Sequence, residues 1–297
     1  MLGITLKEIN VKVGFIGLGI MGMPMAINVS KKYSLIGYDI VLKEAPFPLA
    51  SSTIEIIKQS DVVITMLPKN EHVKSVYEEA INYVKEGQIF IDMSTISPHV
   101  SSSLSLLLES KGAHLCDCPV VKSQPAAISG TLGIYVGRKK EIFEKIKDIL
   151  SCMGSNIIYM GDNGSGLVMK LLHNALVGQI QNGVNEVMSV ASNLGIDLND
   201  FVKAISYGGG QNFYMDGKAQ NIINNEYKTA FSVANMHKDA HLMNDLLKEN
   251  NLSYPGFINT MEVYDKAMDM GLENEDFSAT FKVVNKRLII CVNHVLV

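Results

Sequence analysis

Residues 13–28 read VGFIGLGIMGMPMAIN, an apolar run broken by Gly17, Gly19 and Gly22 in the spacing G-x-G-x-x-G. Alone, that spacing is a weak signal; its context decides what it means. VKVGFIG before it is rich in Val, Ile and Phe, as a strand should be, and MGMPMAINVSKK after it can begin a helix. Gly17 then permits a tight turn, Gly19 lets backbone approach a pyrophosphate, and Gly22 lets helix and strand pack closely. Helix N-terminal N–H groups favour an anion there, and Pro24 suits a first helical turn. The next candidate strand, SLIGYD, ends in Asp39, 22 positions after Gly17. A carboxylate there can accept from ribose hydroxyls and repels a 2′-phosphate. With Ile40 next and Lys43 the nearby cation, NAD is expected ahead of NADP.

The first half repeats this alternation. VKVGFIG, SLIGYD, DVVITMLP, GQIFIDMST, HLCDCPVV and LGIYVG read as strands buried on both faces. Helical stretches such as 22–32, 69–84 and 98–111 lie between them, which predicts a parallel sheet with helices on both sides. After Gly164 the pattern changes to helical periodicity. Residues 165–194 predict one helix of about 45 Å at 1.5 Å per residue, apolar nearly all round and therefore buried, with Gly195 as its C-cap. Shorter helices are expected near 199–206, 233–250, 256–271 and 276–294. The expected fold class is α/β: a Rossmann-type doubly wound domain over 1–163 and an all-α domain over 164–297, joined by the long helix.

Composition bounds the partners. The chain has 297 residues, 47% of them hydrophobic, and a formal net charge of −4. No global positive field would draw nucleic acid or an anionic membrane. The start, MLGITLKEINVKVGF, has neither a cationic n-region nor a long apolar h-region, so a cytoplasmic location is expected. Cys116, Cys118, Cys152 and Cys291 have no paired zinc spacing and read as small buried hydrophobes.

Ligands of open parallel sheets bind beyond the carboxyl ends of the strands. Met66, Leu67 and Pro68 end one strand, Ser94 and Thr95 the next, and Ser123 follows DCPVV. Hydroxyls and N–H groups there can hold a carboxylate, although Ser, Thr and Pro in such places also simply form turns. The long helix carries Lys170, His173 and Asn174, with Lys170 and Asn174 four apart on one face. A lysine in an apolar helix is costly unless it reaches water, a partner or a ligand. Burial would lower its pKa and suit it to proton transfer; the alternative is a lysine snorkelling at a domain seam. In NMHKDAHLMNDLL (235–247), His237 and His241 are four apart, but the run lacks the Glu of H-E-x-x-H and shows no third ligand. No metal is therefore expected.

These motifs together resemble the β-hydroxyacid dehydrogenase family: GFIGLGIMGMPMAIN, the MLP after the third strand, DMST, DCPV…SGTL, GSGLVMKLLHNAL and the later HKD, in that order over nearly the whole chain. The resemblance implies an NAD(P)-dependent oxidoreductase that moves a hydride between nicotinamide and a short semialdehyde or hydroxy carboxylate, usually as a homodimer or homotetramer. It implies Lys170 as the general acid/base and Asn174 beside it. Thr95 and Ser123 would lie near substrate, Phe231 would line the pocket, and Lys238 would approach the cofactor with Asp239 shaping the site. The cofactor loop comprises Gly17, Leu18, Gly19, Ile20, Met21 and Gly22, with Asp39, Met66, Leu67, Pro68 and Thr95 around it. One motif departs: many members read D-A-P-V-S-G-G, whereas this chain has Val121 for the serine and Lys122 for the first glycine. VKSQPA looks more like the glyoxylate and succinic semialdehyde reductases, with Ser123 as their serine. Lys122 would serve either as a cation for a second carboxylate or as a solvated turn residue. The stretch 207–221 reads as a mobile or lining segment. Rival readings are 3-hydroxyisobutyrate dehydrogenase proper, an imine reductase, which usually lacks the lysine, a zinc hydrolase, or a catalytically idle NAD-binding scaffold.

Overall fold

The computed structural model describes residues 11–285, so Cys291 and the end of the helix expected at 276–294 lie outside the described residues. The chain divides into two compact units, Met1–Leu172 and His173–Val297.

In the first unit β1 (Lys12–Ile16), β2 (Ser34–Tyr38), β3 (Val62–Thr65), β4 (Ile89–Asp92) and β5 (His114–Asp117) are joined in parallel in the order β2-β1-β3-β4-β5. Their burial shows why they read as unbroken apolar runs. Val62, Ile64, Ile89 and Ile91 enter one core with Val13 and Phe15, while Val63, Phe90 and Leu115 enter another. Successive side chains point to opposite faces, and both faces are covered. On the first face lie α1 (Gly22–Ser30), through Met25 and Val29, and α6 (Lys140–Leu150), through Ile142 and Ile146. On the second lie α2 (Thr53–Gln59), α3 (Asn70–Ala80) and α4 (Pro98–Glu109), through Ile56, Tyr77 and Leu104. This is the doubly wound sheet expected of the sequence.

The far edge corrects the expectation of an all-parallel sheet. HLCDCPVV breaks at Cys118 and Pro119 into β5 and the short β6 (Val120–Val121), and both run antiparallel to β7 (Leu132–Gly137). The turn between them contains α5 (Gln124–Ser129). On its other side β7 pairs in parallel with β8 (Gly154–Gly161), which the six predicted strands do not include. Only its first residue is fully buried, so it lacks the apolar run that marks the central strands.

Asp117, at the end of β5, holds the start of α7 (Ser165–Asn193). Its Oδ1 accepts from the Gly164 N–H at 2.7 Å and the Asn163 side chain at 3.2 Å, and its Oδ2 from the Leu167 N–H at 2.9 Å. The carboxylate thus satisfies donors that a helix start leaves open, at the positive end of the helix dipole. Gly195, at φ 79°, follows the helix as expected. The expectation that α7 is buried all round is corrected by Leu176, Val187 and Val190, which are exposed along one side.

In the second unit α8 (Leu198–Ile205), α9 (Phe213–Ile223), α10 (Val233–Glu249) and α11 (Pro255–Asp269) precede a 3-10 turn and the short α12 (Phe281–Val284). Residues 213–223 are helical, so most of the stretch 207–221 read as mobile or lining belongs to α9. The Asn212 side chain caps this helix on Met215 N, and Tyr214, Met215 and Ile222 are buried. From α7, Gln181 reaches Phe277 O and Thr280, Asn185 reaches Thr280 at 3.1 Å, and Ser189 reaches Asn285 at 3.1 Å. Tyr264 and Tyr214 hydroxyls donate to Gln181 and Asn185 respectively.

Burial pushes the Asp117 carboxyl up to about 6, against the lowering pull of the Gly164 and Leu167 N–H groups. A carboxyl raised above its unfolded value binds more protons in the folded state. Its stabilising share is complete in acid and is lost as pH rises through the folded value. Relative to non-titrating Asp117→Asn, the unfolding free energy of the parent should fall by on the order of 1–3 kcal/mol between about pH 4 and 6 and then level off. Urea denaturation across that range measures it, and a flat difference would contradict the shift.

Candidate active site

The parallel strands end nearly level, with Ile16 opposite Tyr38 and Thr65, Thr65 opposite Asp92, and Asp92 opposite Asp117. Residues that follow them therefore share one rim. There the structure brings together Gly17–Gly22 after β1, Asp39 after β2, Met66–Pro68 after β3 and Thr95 after β4; Ser123 follows β6.

Gly17 sits at φ +92°, and a Cβ there would meet Met66 O at 2.3 Å. A Cβ on Gly22 would meet Gly17 O at 1.9 Å, whereas one on Gly19 would meet nothing within 4 Å. Two glycines are thus needed for the turn itself, and the third faces open space. Gly19 and Ile20 are exposed at the loop tip. Behind them α1 starts with no side-chain cap and no acid in its first turn. Asp39 closes the loop from below. Its Oδ2 accepts from Leu18 N at 2.8 Å and its Oδ1 from Val41 N and Leu42 N at 2.9 and 3.2 Å. Partial burial pushes its carboxyl up, but those three N–H groups outweigh it and hold the group below the usual aspartate value. An open, uncapped N-terminus beside an ionised carboxylate fits a dinucleotide, phosphates to the helix and ribose to the acid.

Ser94 is a structural residue. Fully buried, it donates to Asp92 Oδ1 at 2.6 Å and accepts from Leu67 N at 2.9 Å, strapping the β3 loop to the β4 loop. Thr95 beyond it is half-buried. Ser123 precedes α5, and its side chain makes no cap hydrogen bond. Lys122 adopts φ 77°, the left-handed backbone that favours glycine, and its Nζ donates to Thr131 O at 2.7 Å. The side chain is thus tied back to its own turn, on a backbone that glycine would adopt without strain.

Lys170 is 7% exposed on α7 in the first unit. In the second unit Asn174 is 8% exposed and donates to Asp239 Oδ2 at 2.6 Å, a buried pair linking α7 to α10. Lys238 Nζ lies 3.3 Å from Asp239 Oδ1, so one carboxylate faces both the amide and the ammonium. Sequence spacing shows Lys170 and Asn174 one turn apart, but nothing local links Asn174 to a residue 65 positions on. Phe231 is half-buried and packs edge-on to Phe277, ring centroids 6.1 Å apart. A small apolar recess beside Asn174 is lined by Gly178, Met236, Ala240, Phe257 and Tyr264. Among the described residues, Cys116 and Cys118 are buried thiols raised above the ordinary range by burial.

Known proteins share this architecture. The family profile for the NAD-binding domain of 6-phosphogluconate dehydrogenase matches residues 12–161, and that for the NAD-binding region of NADP-dependent 3-hydroxyisobutyrate dehydrogenase matches residues 164–284. The chain belongs to the β-hydroxyacid dehydrogenase family. It is 30% identical to 2-(hydroxymethyl)glutarate dehydrogenase of Eubacterium barkeri over 93% of this chain and 95% of that one. It is 33% identical to mitochondrial 3-hydroxyisobutyrate dehydrogenase of Mus musculus over 92% and 87%. Among solved structures, 3-hydroxyisobutyrate dehydrogenase of Mycobacterium tuberculosis with L-serine matches at TM-score 0.86 and 27% identity, over 93% and 99%. The chain is thus a nicotinamide-dependent dehydrogenase that acts on a CH–OH group. Among the described residues, no helix is long and apolar enough to cross a membrane.

The two glycines separate by substitution. Gly22→Ala should cost about 1–3 kcal/mol of stability, because its methyl meets backbone that cannot move aside cheaply. Gly19→Ala should leave the urea midpoint unchanged, its methyl entering open space.

Proposed function

We propose that this dehydrogenase catalyses reversible hydride transfer between NAD(H) and a short carboxylate bearing an aldehyde or hydroxyl group, with Lys170 as general acid and base. The observation that carries the reading is Lys170, buried on α7 one turn before an Asn174 that Asp239 holds in place. Keeping an ammonium out of water is expensive, and proton transfer to a reacting oxygen is a use that repays it. The names of the relatives support a carboxylate substrate with a nearby hydroxyl, and the VKSQPA run favours the glyoxylate and succinic semialdehyde reductase branch. The 33% identity to the mouse enzyme keeps 3-hydroxyisobutyrate dehydrogenase as the second reading.

In this reading Gly17–Gly22 and Met66–Pro68 hold the cofactor, Asp39 takes the adenosine ribose hydroxyls, and Lys238 approaches the cofactor from α10. When bound, the nicotinamide supplies or accepts the hydride. Lys170 gives a proton from Nζ to the carbonyl oxygen as charge builds there, and takes it back from the hydroxyl in oxidation. Asn174, its amide fixed by Asp239, offers a preorganised hydrogen bond to the same oxygen. Ser123, the backbone at 122–124 and Thr95 hold the carboxylate, and Phe231 lines the pocket. The module over 1–163 serves the cofactor and the module over 164–297 serves substrate and self-association. The exposed side of α7 at Leu176, Val187 and Val190 is the natural place for a second copy of the chain.

Lys170→Ala should lower kcat by roughly 10²–10⁴-fold while the Kd for NADH stays nearly constant; near-normal turnover would remove Lys170 from the proton path. Gly19→Ala should weaken NADH binding at least tenfold at unchanged stability, since its methyl would occupy the space a phosphate must approach. An assay at 340 nm pairing NADH or NADPH with glyoxylate, succinic semialdehyde, tartronate semialdehyde and methylmalonate semialdehyde tests substrate and cofactor together. NADH is expected to outrun NADPH on glyoxylate or succinic semialdehyde. A clear preference for methylmalonate semialdehyde selects the second reading, and a preference for NADPH removes Asp39 as arbiter of the ribose site.

A further inference from the structure

α10 carries a second group of chemistry-bearing side chains that the dehydrogenase reading does not use. His237 and His241, four residues apart, lie on one face of the helix with ring centroids 4.4 Å apart. From α11, Asp265 inserts one oxygen between them, with Oδ1 at 2.9 Å from His237 Nε2 and 2.7 Å from His241 Nε2. One ligand atom from each of the three lies within 4.8 Å of the others. We infer that His237, His241 and Asp265 form a binding site for a first-row divalent metal ion of the zinc class, which clips α10 to α11.

The donor set selects the class. Two imidazole nitrogens and one carboxylate oxygen suit Zn²⁺, Co²⁺, Ni²⁺ and Cu²⁺, whereas Mg²⁺ and Ca²⁺ prefer oxygen throughout. Zinc binds nitrogen and oxygen at about 2.0–2.2 Å, so neighbouring ligands around one tetrahedral ion stand roughly 3.3 Å apart. The observed 2.7 and 2.9 Å gaps need to open by only a few tenths of an ångström, which small rotations of the two imidazoles supply. In the metal-free state each Nε2–H donates to Asp265; on binding, the proton moves to Nδ1 or is released and the lone pair turns to the ion. Access is open as well: the three side chains keep 28%, 43% and 40% of their exposure for His237, His241 and Asp265. Water completes the shell on that open side. The missing third ligand of the HKDAH run is thus supplied by the next helix. The HKDAH run lacks the Glu of H-E-x-x-H, so the ion is assigned no hydrolytic step, and its part is to hold α10 against α11. Its position matters because α10 also bears Lys238 and Asp239.

The test uses the full chain stripped of metal with a chelator. Isothermal titration with Zn²⁺ should show one saturable site per chain. At 100-fold excess over Kd, Zn²⁺ should raise Tm by about 5 °C, while Mg²⁺ should not. Co²⁺ should develop the visible bands of a four-coordinate site. His241→Ala and Asp265→Asn, each first shown by circular dichroism to be folded, should weaken Zn²⁺ binding at least tenfold and lose the Co²⁺ bands, with NADH affinity retained. Absence of saturable Zn²⁺ binding by the parent, or unchanged affinity in both variants, would overturn the site.

Discussion

One buried carboxylate fixes where the first unit hands its chain to the long helix. Asp117 ends β5, and its two oxygens hold the peptide N–H groups of Gly164 and Leu167. The neighbourhood is built around it: a Cβ on Gly137 of the paired strand would fall 2.3 Å from its Oδ1. An ion in such a place is tolerable because every oxygen is met by a donor and the helix dipole points at it. The arrangement ties the end of β5 to the first turn of the helix bearing Lys170, so the position of that lysine along α7 is set by the sheet through the turn at 162–164.

How much was legible in the sequence follows from how local each determinant is. The glycine turn could be read because its three requirements — strand before, helix after, acid 22 positions on — all sit within one unit of chain. Strand direction could not: β7 runs antiparallel to β5 and β6, and side-chain alternation is the same in either sense. β8 was hidden because an edge strand covered on fewer sides does not show a continuous apolar run. The helix at 213–223 was masked by the GGG preceding it, although Asn212 and Asp216 are ordinary helix-start residues. At the site, Lys170 and Asn174 were visible through helical spacing and through the family resemblance. Their supports were less visible. Asn174 with Asp239, Asp265 with its histidines, and Lys122 in a left-handed turn all depend on meetings between distant segments.

The glycine loop and α10 use charge in opposite ways. At the loop, Asp39 is kept ionised by three backbone N–H groups, which leaves a fixed negative charge at the rim. On α10, Asp239 shares its charge between a neighbouring ammonium and an amide, so that its main effect is to hold two other groups in position. A substitution at the first removes a fixed charge from the rim; one at the second changes where existing groups stand.

The polar side chains of α7 in the second unit have a consequence of another kind. Gln181, Asn185 and Ser189 follow one another at intervals of four and meet the segment from Phe277 to Asn285, and Asn174 lies on the same stripe two turns before Gln181. A seam of leucines would tolerate a rotated or slipped helix at modest cost, since one methyl group resembles another. A seam of amides and hydroxyls does not, because any other phase leaves buried donors without acceptors. The seam therefore works as a key cut for a single azimuth, and it sets the direction in which an asparagine more than 10 Å along the axis, at 1.5 Å per residue, presents its amide.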